Sequence, residues 1–433
     1  MELRDGYKKT EIGVIPEDWD CSNWSDVFGG FTSGATPYRA IKSYYNGNIR
    51  WITSGELNYS VIYDTIEHIS EEARVKTNLK IHPVGTFLMA ITGLEAEGTR
   101  GSCAVVGNPS TTNQSCMAIY GTEQVLVDYL FYYYCMHGNE LALKYCQGTK
   151  QQSYTAKIAK LLPIIYPKSI KEQQAIATAL SDIDGLISSL AKLIDKKKNI
   201  KQGAMQELLT GRKRLDGFSG EWEVRTLGDL FGFNGGHSAS REQLSLEGYC
   251  YLHYGDIHGS NKTFIDVDKE YMEIPKLDIS LRKISKVKLL QDGDVVFVDA
   301  SEDDEGTSKH IVVQNPNNIP FISGLHTIVS KSKNEYLDKK FKQYCFQSSE
   351  IKSQFKFYAV GTKVSGISRS TIAKINLRFP ASKEEQAAIA NILSDMDKEI
   401  ETLGQKLNKY KEIKQGMMQE LLSGRIRLFG EVV

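Results

Sequence analysis

The chain has no run of about 18 apolar residues, so no transmembrane helix is expected. Its opening, Met1 to Gly13, lacks the apolar segment of an export signal, and a cytoplasmic protein is expected. Cysteine is sparse: seven residues, scattered, with no Cys-x-x-Cys spacing, which reads as reduced thiols rather than a disulfide framework. Neither charge is in excess, Lys+Arg and Asp+Glu each numbering 53, whereas a tight stand-alone nucleic-acid binder is usually basic. Catalytic signatures are missing too. The phosphate-cradling Gly-x-x-x-x-Gly-Lys-Ser/Thr loop does not occur, and Gly259-Ser260-Asn261-Lys262-Thr263 lacks the glycine before lysine. An adenine methyltransferase needs an Asn/Asp-Pro-Pro-Tyr/Phe loop, but Asn108-Pro109-Ser110 and Asn315-Pro316-Asn317 read as turns. The acidic run Glu302-Asp303-Asp304-Glu305 reads as a solvated loop, and His253 and His258 lack the companions that would complete a zinc site. No metal, cofactor or catalytic set is therefore expected in this chain.

What is present is an ordinary globular composition, 41% apolar and 24% charged over 433 residues, enough for two or three domains. A repeat organises it. With Glu172 aligned on Glu385, an offset of 213, 26 of the 44 positions from 172 to 215 are identical. The segments before each copy show only traces of kinship. Trp51–Leu57 resembles Tyr251–Ile257 at an offset of 200, and Asp26-Val27-Phe28 resembles Asp229-Leu230-Phe231. The plan is A–B–A′–B′, with B nearly copied and A divergent. Its expected limits are 1–150, 151–215, 216–363 and 364–433.

Each copied segment carries apolar residues at alternating steps of four and three. In the second they run Ile389, Leu393, Met396, Ile400, Leu403, Leu407, Tyr410, Met417 and Leu421, interrupted at Lys414. In the first, Lys197 and Lys201 make the interruption. A 3.5-residue repeat over some five heptads predicts a coiled coil. Ser169-x-x-Glu172 and Ser382-x-x-Glu385 predict capping boxes, and Gly211 and Gly424 suit a left-handed helix end. The two stripes are natural partners in one antiparallel pair, because a whole domain connects them; the alternative is that each packs on its own domain. The A segments read as α/β (α+β) domains, with strands at 48–53, 86–91, 102–106 and 115–120 in the first and 249–254, 294–298, 310–313 and 325–329 in the second. An aromatic helix follows in each, at 127–137 and 338–347. Charge separates along the chain, with net values of −6, +7, −4 and +3 for 1–147, 148–216, 217–360 and 361–433.

The sequence resembles the specificity subunit of type I restriction–modification enzymes over essentially its whole length. The marks are the twice-used Glu-Gln-x-Ala-Ile-Ala…Leu-Ser-Asp-x-Asp helix start at Glu172 and Glu385, and the twice-used Ile-Lys-Gln-Gly-x-Met-Gln-Glu-Leu-Leu-x-Gly-Arg helix end at Ile200 and Ile413. Gly6 to Trp19, Ser33-Gly34-Ala35-Thr36-Pro37 and Asn48 to Ile52 are also typical; Gly235-Gly236-His237-Ser238 departs by lacking the Thr-Pro. The resemblance implies two tandem target-recognition domains, each reading one half of a split DNA sequence, separated by an antiparallel coiled coil that sets the gap. It also implies methyltransferase and ATP-dependent motor–nuclease partners, with S-adenosylmethionine, ATP and Mg bound by those partners. Candidate DNA contacts are Thr36, Tyr38, Arg39, Lys42, Arg100, Lys150 and Gln151 in the first half, and His237, Ser238, Arg241, Lys309, His310 and Lys363 in the second. Gln202, Gln206, Glu207, Gln415, Gln419 and Glu420, on two near-identical surfaces, are the candidate contacts for two copies of one methyltransferase subunit. Two other readings stay open: a coiled-coil scaffold that binds no DNA, and an enzyme with an unfamiliar site at Glu302–Glu305.

Overall fold

The computed structural model describes residues 5–148, 152–260, 262–301, 308–361 and 365–428. Lys150, Gln151, Lys363 and the run Glu302–Glu305 lie outside the described residues. The chain divides into two compact units. Unit 1 is Met1–Ala191 with Lys406–Val433, and unit 2 is Lys192–Gln405. Each therefore takes one A segment, the start of one copied helix and the end of the other. No helix among the described residues is long and apolar enough to cross a membrane.

Both units carry the same five-stranded sheet. In unit 1 its order is Gly29–Ser33, Cys116–Tyr120, Phe87–Ala90, Cys103–Val106, Ser60–Ile62. In unit 2 it is Phe231–Gly235, Thr327–Ser332, Val295–Val298, His310–Gln314, Phe264–Asp266. Every pairing is antiparallel except the last, which is parallel in both. The central strands are apolar on both faces, as strands sandwiched between layers must be. The aromatic helix of unit 1 is longer than its sequence suggests, Val127–Tyr145. Its partner in unit 2 is broken into Lys342–Cys345 and Ser349–Tyr358, because the Ser348 hydroxyl accepts the Ile351 N–H and starts a new helix there. Tyr129 and Phe131–Tyr134 in unit 1, and Phe341, Tyr344, Phe346 and Phe355 in unit 2, face inward and form core, whereas Phe357 is exposed.

The two long helices are Ile170–Leu208 and Lys383–Leu421, 39 residues each, or about 58 Å at ~1.5 Å per residue. Both alternatives for their stripes are realised. The helix starts, Ile176 and Leu180 or Ile389 and Leu393, pack into their own unit's core. The helix ends pack into the other half's core: Leu421 and Leu422 in unit 1, Met205, Leu208 and Leu209 in unit 2. Within each unit the two helix segments run antiparallel, as Lys414–Asp184 (2.6 Å) in unit 1 and Lys197–Glu399 (2.7 Å) in unit 2 show.

A set of polar ties, matched in the two units, fixes each A segment on this frame. Gln173 accepts the Leu126 N–H at the start of the aromatic helix and donates to the carbonyls of Gln124 and Pro167. Gln386 does the same with Asp338 N–H, Tyr336 and Pro380. Tyr132 donates to Asp184, which pairs with Lys414; Tyr344 donates to Asp397, which pairs with Lys201. Two of the lysines that interrupt the apolar stripes, Lys414 and Lys201, are thus the cation partners of these aspartates, and the third, Lys197, pairs with Glu399. The capping boxes form only by half. Ser169 and Ser382 accept the N–H of Glu172 and Glu385, but neither glutamate returns to its serine. Each carboxylate, almost wholly buried, takes a two-pronged arginine from the other copy instead: Arg427 on Glu172 (2.5 and 2.7 Å) and Arg214 on Glu385 (2.6 and 2.7 Å). A guanidinium satisfies a desolvated carboxylate better than one backbone N–H can.

Candidate nucleic-acid interface

In unit 1 the loop after strand Gly29–Ser33 is pinned from below. Gly34 and Ala35 donate their N–H groups to Asn113 and Thr112, and a Cβ on Gly34 would stand 1.7 Å from the Thr112 carbonyl oxygen. Only glycine permits that approach. Trp51, fully buried, donates its indole N–H to the Ala35 carbonyl (3.0 Å), and the Tyr45 hydroxyl donates to Pro37 (2.6 Å). On this base the expected residues project outward. Thr36 is exposed and donates to Gln114, Tyr38 is 70% exposed, and Lys42 is exposed at the start of the 3-10 turn Lys42–Tyr45. Arg39 lies over the rings of Tyr45 and Trp51, 4.4 and 5.1 Å from their centroids. Both its prongs rest on Glu67 at 2.5 and 2.8 Å, hydrogen bonds that hold the Glu67 carboxyl below its usual range. The arginine is preformed as a rigid, exposed fork. Arg100 differs: its guanidinium donates to the Leu94 and Glu95 carbonyls and so shapes its own loop.

Unit 2 rebuilds the same base with other side chains. A Cβ on Gly236 would stand 1.6 Å from the Gly324 oxygen, and the His237 N–H donates to the Ser323 carbonyl. Tyr251 takes the place of Trp51 and donates its hydroxyl to the His237 carbonyl (2.8 Å). His237 therefore stands where unit 1 has Ala35. Its ring is half-buried, and burial, with the Lys288 charge nearby, pushes its pKa down. Ser238 and Arg241 are exposed, the latter 3.2 Å from Asp256. Lys309 donates to the His258 carbonyl. His310 does not belong with these. It lies on a central strand, 7% exposed, packed on Phe297 and Phe346, and burial pushes its pKa down to about 4. A neutral imidazole in the core offers nothing to DNA, so His310 leaves the set of candidate contacts.

Sequence reasoning passed over one basic stretch. Arg282, Lys283, Lys286 and Lys288 occupy two short 3-10 turns, Leu281–Lys283 and Lys286–Lys288, with no acidic residue among them. Lys288 reaches the neighbourhood of His237, which puts the run beside the loop just described. The signal was four cations in seven residues, hidden by a segment whose overall charge is negative. Such a run suits phosphate contacts, which position a protein on DNA, while the varied loop residues suit base edges.

Comparison with known proteins agrees with this arrangement. The family model for the type I restriction modification DNA specificity domain matches twice, at residues 16–201 and 219–412. The MjaIX type I restriction enzyme specificity subunit of Methanocaldococcus jannaschii is 32% identical over 262 residues, 56% of this chain and 58% of that protein. The putative MjaX specificity subunit of the same organism is 25% identical over 98% of this chain and 97% of its own length. Among solved structures, the S subunit of a type I restriction–modification system from M. genitalium has a TM-score of 0.56 at 15% identity, over 97% of this chain and 98% of that one. A chain from a study of complex assembly and conformational transition in a type I R-M system has a TM-score of 0.58 at 13% identity, over 95% and 99%. These likenesses carry the fold, and the twice-matched family model covers most of the sequence. The chain belongs to the type I restriction modification DNA specificity family and carries two copies of that domain.

Proposed function

We propose that this chain is the non-catalytic DNA sequence-specificity subunit of a type I restriction–modification complex, with each unit reading one word of a split, asymmetric target. The observation that carries this reading is a shared frame under unlike loops. Sheet order, pinning glycine and polar ties repeat, while Ala35 and Trp51 give way to His237 and Tyr251, and the exposed arginine rests on Glu67 in unit 1 but in unit 2 on Asp256, the counterpart of Glu56. Equal frames hold the loops alike, and unlike side chains select different bases. The chemistry then falls to partners: two methyltransferase subunits that bind S-adenosylmethionine, and motor–nuclease subunits that bind ATP and Mg. Co-expressed with its methyltransferase subunit, the chain is expected to direct methylation to one motif of two short words divided by unread bases. The scaffold alternative predicts no modified motif.

The repeated helix ends are the proposed partner surface, with the assignment narrowed by packing. Gln202, Glu207, Gln415 and Gln419 are exposed. Gln206 accepts the Ser349 N–H, and Glu420 pairs with Arg425 at 3.0 Å, so both already have intrachain roles. On the first long helix Leu186, Leu193 and Ile200 recur every seven residues and are 49, 38 and 48% exposed, a second apolar row suited to a partner helix. The double substitution Gln202→Glu with Gln415→Glu is expected to lower the methyltransferase recovered with the chain severalfold while leaving thermal unfolding of the isolated chain unchanged. Undiminished recovery would remove these residues from the surface.

A further inference from the structure

Four side chains of unit 2 meet where three turns converge. His253 caps the short helix Tyr254–His258, its Nδ1 accepting the Gly255 N–H at 3.0 Å. An accepting Nδ1 obliges the neutral ring to carry its proton on Nε2. Burial, then the charge of Arg241, push the His253 pKa down, so this tautomer persists at neutral pH and the half-buried ring presents Nε2–H as a fixed donor. Tyr254 stands between two imidazoles, 4.7 Å from the His253 ring and 5.5 Å from that of His326. His326 adopts φ +60°, a left-handed conformation that costs a non-glycine residue energy and is retained where its placement matters. Its Nδ1 lies 3.3 Å from Asp299. Arg241 closes the group, with Nη2 packed 3.0 Å from where a Cβ on Gly255 would stand and 3.2 Å from Asp256.

Of the two carboxylates in this cluster, Asp256 is engaged by Arg241, while Asp299 Oδ1 lies 3.3 Å from His326 Nδ1 and takes no hydrogen bond among the described residues; the donors of the cluster are the Arg241 guanidinium and the Nε2–H of His253. In the major groove guanine is the base whose edge offers two acceptors, N7 and O6, and no donor. Resting on the DNA-specificity reading above, we propose that unit 2 reads a guanine of its word through His253 Nε2–H and Arg241, with Tyr254 and His326 holding the pair in place. At the corresponding place unit 1 has Thr53 and Glu56, which are closed on each other in a capping box (2.8 Å). Among the described residues the histidine donor is thus found in unit 2 and not at the matching place in unit 1.

The test uses the chain in complex with its methyltransferase subunits and duplexes carrying the methylated motif, with 7-deazaguanine replacing each guanine of the second word in turn. One replacement is expected to weaken wild-type binding roughly tenfold or more, since it removes N7 alone. His253→Asn, which keeps a capping acceptor for Gly255, should lose about as much on unmodified DNA and lose nothing further on that 7-deaza duplex. Arg241→Ala, at an exposed position, gives a second variant whose folding is not in question, and it should relax the same base position. Wild-type-like binding by both variants, additive losses, or a second word without guanine would overturn the proposal while leaving DNA specificity intact. A wild-type complex that prefers no sequence would overturn the DNA reading itself, and this proposal with it.

Discussion

Arg427→Ala is expected to destabilise unit 1 by about 3–5 kcal/mol, because it strands a buried carboxylate. Glu172 is 3% exposed, and both its oxygens take N–H donors from Arg427. Arg427 also clamps Asp18 at 2.6 and 2.9 Å and lies over the Trp19 ring, so one side chain joins the C-terminal segment to the start of a helix and to the N-terminal strand Trp19–Asn23. Arg214→Ala should act alike on Glu385 in unit 2. In a unit of this size the loss corresponds to a fall in Tm of roughly 6–20 °C. Adding Glu172→Gln to Arg427→Ala should recover part of it, since a neutral amide is less costly to bury than an unpaired charge. The effect has a pH signature. The Arg427 hydrogen bond holds the Asp18 carboxyl below its usual value of 3.8, so this contribution is complete above about pH 4 and lost as pH falls through the lower folded value. The gap between variant and wild type should therefore narrow in acid by the share that Asp18 contributes. A Tm within 2 °C of wild type at pH 7 would mean that the arginine–glutamate pair is not what stabilises its unit.

The second large effect belongs to the pinning glycines. Gly34→Ala places a methyl 1.7 Å from the Thr112 carbonyl oxygen, and Gly236→Ala places one 1.6 Å from that of Gly324. Backbone cannot yield locally by more than an ångström without giving up the hydrogen bonds that seat Ala35 or His237. Each substitution should cost ~1–3 kcal/mol of local stability and displace its reading loop. Because both words must be recognised together, methylation of the intact target should fall by two orders of magnitude or more in either variant. Amide exchange should show the disturbance in the altered unit alone. Methylation within threefold of wild type would show that the loop's seat does not matter for recognition.

The frame was legible in sequence because its signals are local. Heptad spacing, Pro167 and Pro380, and Gly211 and Gly424 at φ +72° and +70° bounded two helices that run where the pattern places them. Three strands of each five-stranded sheet lie within three residues of their expected apolar runs, but Gly29–Ser33, Ser60–Ile62, Phe231–Gly235 and Phe264–Asp266 were not expected. The misses share a cause, tertiary competition for a local group. Glu172 and Glu385 satisfied the capping-box pattern, but the decisive partners were arginines 255 and 171 positions away. His310 was named a candidate DNA contact at the start of an expected strand, yet strand alternation turns it into an aromatic core. The helix expected at 338–347 is only Lys342–Cys345, and Ser348 starts a second helix, Ser349–Tyr358, beyond its expected end. The correspondence of Trp51 with Tyr251 was visible as a faint offset of 200; that both donate to the equivalent loop carbonyl was not.

That two interchangeable readers share one frame is tested most directly by exchanging one of them. A chimera would carry residues 24–147 from the M. jannaschii MjaX specificity subunit within the remainder of this chain, with Gln173, Asp184 and Arg427 kept to receive the new domain. Its methylated motif would be determined by single-molecule sequencing of DNA from cells that also express the methyltransferase subunit. One word should change to that of the donor protein, while the other word stays as in the parent. Change in both words, or in neither, would contradict the assignment of one word to each unit.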